Sequence, residues 1–412
     1  MNIRKEIYIH HPKPGTAANM SAYYIGDGLD RVEVHSQEHE GRDDLPVDPM
    51  IKYSSDNGRT WSDFERLPDI VTLNDDHIVY WGGSAPFYDP ASGLSVSIWL
   101  RQTLIKEPLR YHCHCFSRVS EDFGRTWGEP VLIRYEEGPD LDLGNPLDPN
   151  FLKSNNSYPG NNFIIHSSGA LLYMMTGVNI TKDAPHTDPD GTHGHWWTPT
   201  GARDIGSACF IGRWDLDERN YSWVCGERVW LPMSVSCRGL LEAEIAELKN
   251  GNIIVIWRGS DTHETPGRKW FSMSSDLGKT MSPIHDLRYD DGSQFYSPSS
   301  YHRLYRRSVN CKLYWIGNIC PEPPNGNSPR YPLIIAEVDE TIPAIKKDTI
   351  EIIDDRGPDD SVELALSNFN VIEDRETFDL ELSLTRLGTR AAHADDPAKF
   401  WEADHYKYTI TF

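Results

Sequence analysis

Nowhere in its 412 residues does the chain string together the eighteen or so apolar residues that a membrane-spanning helix needs. Its first residues, MNIRKEIY, hold no apolar stretch of the kind a secretory leader carries. That points to a cytoplasmic protein, or to one whose leader has been removed. Cysteine is sparse and odd in number, seven, with no tight spacing, which argues against a disulfide-stapled scaffold and for free thiols in a reducing compartment. Positive charge is also short: 40 Lys and Arg stand against 62 Asp and Glu, a net charge of −22. No basic stripe appears, so neither nucleic acid nor an anionic membrane surface is expected as a partner. Sixteen histidines are present, yet no zinc spacing is complete. The nearest approach is His193 and His195 with Asp188 or Asp190, and no metal or other cofactor is expected.

Turns and aromatics are plentiful instead. The chain has 31 Gly, 28 Pro, 19 Tyr and 13 Trp, spread along its length, as in a protein of many short strands. One octamer is written three times: SSDNGRTW over 54–61, SEDFGRTW over 120–127 and SSDLGKTM over 274–281. In S-x-D-x-G-x-T-W the Asp can accept hydrogen bonds from backbone N–H groups of its own turn. The Gly supplies the positive φ that a Cβ resists, and the aromatic is expected to pack into a core. Asp56 and Asp122 lie 66 residues apart, and Asp122 and Asp276 lie 154 apart, which leaves room for a hidden unit. A degenerate turn around Asp217, between Trp214 and Trp223, fills that gap. Another follows at Asp339, 63 residues beyond Asp276. A sixth unit is expected at the C-terminal end, where Phe378–Thr385 alternates apolar and polar residues.

The octamers resemble the Asp-box, or BNR repeat, of the sialidase superfamily, where such boxes join the outer strands of propeller blades far from the substrate. The resemblance implies an all-β chain: one six-bladed β-propeller of four-stranded antiparallel blades over 1–412, with a loop insertion around 136–202. The ring would be closed by N- and C-terminal strands near Glu6–Ile9 and Tyr406–Phe412, which hides the sheet edges. The resemblance also implies catalytic and substrate-binding residues. The stretch EAEIAELKNGNIIVIWR over 242–258 is similar to the sialidase segment in which a catalytic Glu precedes an Arg that binds the sugar carboxylate. Glu242 is then the base and Arg258 the clamp. A guanidinium fork suits a carboxylate, and it would hold a nearby Glu ionised. Arg330, in NSPRYPLI over 327–334, occupies the place of another carboxylate-binding Arg. In EGRDDLP over 40–46, Asp44 lies 12 residues before Asp56 and corresponds to the acid, with Asp43 as an alternative and Arg42 beside it. His77, at a strand start among aromatics, is a further binding candidate.

The chain also departs from the family. Between Arg4 and Arg31 there is no Arg where the first of the family's trio belongs, and Tyr23 and Tyr24 stand in that region. The segment expected to carry a tyrosine nucleophile reads LALSNF over 364–369. Tyr296 and Tyr301 are the substitutes considered. Without a tyrosine, two carboxylates roughly 6.5–9.5 Å apart with water between them could still cleave a glycoside. The expected activity is exo-hydrolysis that releases a terminal acidic sugar from a carbohydrate substrate. A propeller lyase acting beside a uronate carboxylate and a non-catalytic glycan-binding propeller are the alternatives.

Overall fold

The computed structural model describes residues 1–39, 46–83, 86–107, 110–177, 206–217, 219–232, 234–389 and 397–412. They form six antiparallel sheets and very little helix. In chain order, sheet I spans Thr16–Tyr24, Arg31–His39, Val47–Ser54 and Glu65–Arg66. Sheet II runs from Val71–Leu73 to Val131–Leu132, sheet III from Tyr158–Ile165 to Val229–Trp230, and sheet IV from Leu241–Glu247 to His285–Asp286. Sheet V runs from Arg303–Arg306 to Glu351–Asp354. Sheet VI takes three strands from the C-terminal end and its fourth, Asn2–Ile9, from the N-terminal end, in register Asn2↔Thr411 through Ile7↔Tyr406. The expected closure by terminal strands is therefore present. The sheets group into two compact units, residues 1–69 with 288–412 (sheets I, V and VI) and residues 70–287 (sheets II, III and IV).

In both units the strands meet through continuous apolar runs. In the first, Ile316, Leu333, Ile335, Leu366, Leu382, Tyr408 and Ile410 interlock across sheets V and VI. In the second, Leu172, Met174, Ile245, Val255 and Trp257 do the same across sheets III and IV. Each such side chain removed from water contributes about 1.5–3 kcal/mol before entropy is counted.

The three octamers fold alike. Ser54 Oγ donates to Asp56 Oδ1 (2.8 Å) and accepts from Gly58 N (2.8 Å), while Thr60 N and Thr60 Oγ1 donate to the two oxygens of Asp56 (2.8 and 2.7 Å). Ser120, Asp122, Gly124 and Thr126 repeat this set, as do Ser274, Asp276, Gly278 and Thr280. Each turn needs two consecutive left-handed residues, Asn57–Gly58, Phe123–Gly124 and Leu277–Gly278, where the sequence signalled only the glycine. The tryptophans are half-buried and do not reach a core. A Cβ on Gly58 would stand 3.1 Å from Trp61, and the Arg118 guanidinium lies 4.3 Å from the Trp127 ring, so each tryptophan caps its own turn or a basic side chain at the sheet's outer rim.

Two further expectations shift in position. In the turn after Gly206–Asp215, Asp215 is the residue whose carboxylate accepts the N–H, from Asp217. Residues 136–177, expected to begin a loop insertion, include a short helix, Pro149–Lys153, and the strands Tyr158–Ile165 and Leu171–Thr176. All six residues of the second strand are buried, so it shows no alternation for a sequence reading to find. His186, His193 and His195 lie outside the described residues.

Candidate functional site

Sheet IV brings Glu242 and Arg258 together through its first hairpin. The strands Leu241–Glu247 and Ile253–Arg258 are joined by a turn in which Leu248 N donates to Asn252 O (2.7 Å) and Gly251 takes φ +81°. Their register sets Leu241 opposite Arg258 and Glu244 opposite Ile256, so Glu242 and Ala243 together face Trp257. This is a β-bulge, with Glu242 held at φ +38°, in a region costly for a residue with a Cβ. The bulge turns the Glu242 side chain back along the strand. Arg258 Nη1 donates to Glu242 Oε2 at 2.5 Å, with the side chains 10% and 20% exposed, which leaves the carboxylate the more accessible partner.

Sheet III supports the bulge. Asn161 Nδ2 donates to Glu242 O (3.0 Å). Asn162 brackets Ile245, donating to its carbonyl and accepting from its N–H, both at 2.8 Å. Gly160 completes the contact, because a Cβ there would meet Met174 O at 2.5 Å and Ala243 O at 2.9 Å.

A second guanidinium belongs to the same neighbourhood. Burial and the charge of Arg258 pull the pKa of half-buried Arg238 below the usual arginine value, and Glu242 and Asp261 oppose them. The turn carrying Arg238 is pinned to the end of the Arg258 strand: Ser260 N donates to Ser236 Oγ (3.1 Å), and Thr262 Oγ1 donates to Ser234 O (3.1 Å). Sequence reading passed over Arg238 and Asp261. The available signal was an arginine four residues before Glu242.

His77 opens the strand His77–Gly83 in the same unit. Its Nδ1 meets Asp76 Oδ1 at 2.7 Å and its Nε2 meets Asn74 Nδ2 at 3.0 Å, so both ring nitrogens are engaged within its own turn.

In the other unit, Arg330 precedes the strand Leu333–Asp339 and pairs with the segment at Ala365, where Leu366 N donates to Arg330 O (3.0 Å). Asn318 Nδ2 reaches the carbonyls of Arg330, Pro332 and Leu366 at 3.0–3.2 Å and binds the two segments together. Tyr301 packs edge-on against Phe369, with centroids 5.0 Å apart, beside the LALSNF segment that lacks the expected tyrosine. Tyr296 is half-buried and pairs through its backbone with Cys320. Asp44, Asp43 and Arg42 lie outside the described residues. Among the described residues there is no group of three His, Cys, Asp or Glu side chains arranged to hold a metal, and no helix is long and apolar enough to cross a membrane.

Three solved structures share this arrangement of strands. The NanB sialidase of Streptococcus pneumoniae, in complex with 2-[(3-chlorobenzyl)ammonio]ethanesulfonate, superposes with a TM-score of 0.57 at 12% identity, covering 98% of this chain and 70% of that one. The chain has the sialidase-type six-bladed β-propeller fold. The intramolecular trans-sialidase of Ruminococcus gnavus, in complex with oseltamivir carboxylate, matches this propeller with a TM-score of 0.52 at 12% identity, over 98% of this chain and 97% of that one. The α-L-arabinanase of Penicillium chrysogenum, complexed with arabinobiose, matches it with a TM-score of 0.52 at 13% identity, over 99% and 97%. No family model matches the propeller's sequence, and no curated protein matches it in sequence.

Proposed function

We propose that the protein is a glycoside hydrolase acting on a carbohydrate with a terminal acidic sugar. The observation that carries this reading is the Glu242–Arg258 ion pair on a strained bulge, in a fold that sialidases and an arabinanase share. A carboxylate fixed at such a bulge, with one oxygen engaged by Arg258, is suited to take a proton from water or a tyrosine hydroxyl as the oxygen attacks the anomeric carbon. The glycosidic C–O bond then breaks, and a second carboxyl group protonates the leaving oxygen. Asp44 is the sequence's candidate for that acid. Arg258 both orients Glu242 and offers a guanidinium to an anionic group on the sugar.

The test is a panel of 4-methylumbelliferyl glycosides carrying N-acetylneuraminate, glucuronate or arabinofuranose. Turnover of an acidic member is expected, with Glu242→Gln lowering it on the order of a thousandfold. Turnover of the arabinofuranoside alone would overturn the acidic specificity. A uronate polymer yielding an ultraviolet-absorbing product would replace hydrolysis with elimination. A Glu242→Gln protein as active as the wild type would remove the residue from the chemistry.

A further inference from the structure

We propose that Arg238 is a substrate-binding residue, which together with Arg258 forms a two-guanidinium cradle for the carboxylate of an acidic sugar. The inference rests on the reading of Glu242 and Arg258 given above and adds a residue to it.

Both arginines belong to one local construction. Arg258 ends its strand opposite Leu241. Arg238 sits in a tight turn closed by Gly239 N donating to Ser236 O (2.8 Å) and Ser236 Oγ donating to Gly239 O (2.7 Å), with Gly239 at φ +57°. Ser236 Oγ also accepts from Ser260 N, two residues past Arg258. Buried Ser236 and Ser260 therefore lock the two arginine-bearing segments at one end of the hairpin. Arg238 remains half-buried there, while Arg258 is buried to 8%.

Two like charges in a partly desolvated setting repel, and Arg238 bears that cost, since Arg258 lowers its proton affinity. Glu242 and Asp261 offset the repulsion. An incoming carboxylate would offset it further, by accepting from guanidinium forks on two sides; a neutral sugar offers no such gain. The arrangement therefore favours substrates with a carboxylate on the terminal ring, and this selectivity is separate from the proton transfer assigned to Glu242.

The test compares wild type with Arg238→Gln, Arg238→Lys and Glu242→Gln. Binding of N-acetylneuraminate, glucuronate and arabinose is measured by calorimetry, and the kinetics of the matching 4-methylumbelliferyl glycosides are followed in parallel. Arg238→Gln is expected to weaken binding of the acidic sugar and raise its KM by about ten- to a hundredfold, with kcat changed far less. Arg238→Lys, which keeps the charge and loses the fork, should fall between that variant and wild type. Arabinose should respond to neither substitution. Equal losses for acidic and neutral sugars, unchanged acidic-sugar affinity in Arg238→Gln, or wild-type protein that binds no acidic sugar would each overturn the assignment. The two readings fail separately. If Glu242→Gln keeps full turnover while Arg238→Gln loses acidic-sugar binding, the cradle stands and the role of Glu242 falls. If Glu242→Gln is inert and Arg238→Gln binds normally, the reverse holds.

Discussion

The amide of Asn161 donates to the carbonyl of Glu242 at 3.0 Å, so a side chain from sheet III holds the backbone of the bulge that aims the candidate base. Glu242 sits at φ +38° and its bulge lacks the paired ladder hydrogen bonds of a regular hairpin, which leaves this bond to carry part of the restraint. Asn161→Ala should cost about 1 kcal/mol of stability. It should also lower kcat several-fold while leaving KM nearly unchanged, because Asn161 positions Glu242 and makes no contact assigned to substrate. Thermal melts and steady-state kinetics on the acidic glycoside check this. A variant in which KM rises with kcat unchanged would point to a binding role.

Gly160 makes a stronger demand. A methyl group there would stand 2.5 Å from Met174 O and 2.9 Å from Ala243 O, both backbone atoms that cannot rotate away. Gly160→Ala must push sheet III off the bulge, at a cost of roughly 1–3 kcal/mol. Gly169 is a control at a hairpin turn, with φ +79° and nothing within 4 Å of an added Cβ. Gly169→Asn, with a side chain that tolerates left-handed backbone, should cost less than Gly160→Ala in denaturant melts and leave kcat intact.

The contrast between these positions explains what could be read in advance. The octamers were legible because Ser, Asp, Gly and Thr each make the same local hydrogen bond in every copy, so chemistry and spacing coincide in the sequence. The Glu242–Arg258 pairing was legible because a hairpin fixes which residues meet across it. The bulge was not, since it depends on Gly160, Asn161 and Asn162, some eighty residues away. Arg238 escaped notice because its meaning comes from a serine clamp between two loops, which leaves no periodic signal. The strands Tyr158–Ile165 and Leu171–Thr176 were hidden for a different reason: the first is half-buried throughout and the second wholly buried, and neither alternates.

The octamer carboxylates should tie stability to acid pH. Hydrogen bonds from the Thr126 hydroxyl and N–H lower the Asp122 pKa to about 2. Bonds from the Thr60 N–H and hydroxyl do the same for Asp56. A carboxylate whose folded pKa is depressed contributes stability above its unfolded value, near 3.8, and loses it as pH falls toward 2. Asp122→Asn should therefore lower Tm at neutral pH and flatten the fall in Tm below pH 3.8. Its kcat/KM should match wild type, since the turn lies at the far end of its strand from any assigned chemistry. Loss of activity at full stability would contradict the purely structural role.

Histidine burial acts in a second, higher pH window. His114 is fully buried on the strand Arg110–Ser120, stacked on Phe151, with Nε2 at 3.1 Å from both Phe151 O and Ser154 O. Carbonyls only accept, so Nε2 carries the proton and the ring is neutral. Burial lowers its pKa to about 3, with the charges of Arg101 and His112 acting in the same direction. Burial likewise lowers the pKa of His405 to about 3. The unfolded chain takes up these protons below about pH 6.5 and the folded chain does not, so stability is complete above that value and declines as pH falls from 6.5 toward 3. Melting temperatures should be level above pH 6.5 and drop steadily below it. His114→Gln offers an N–H donor in place of Nε2 and cannot titrate. It should start from a lower Tm at pH 7, because glutamine leaves part of the ring's volume empty, but descend less steeply between pH 6.5 and 4. Parallel slopes for variant and wild type would show that His114 is not the source of the acid sensitivity.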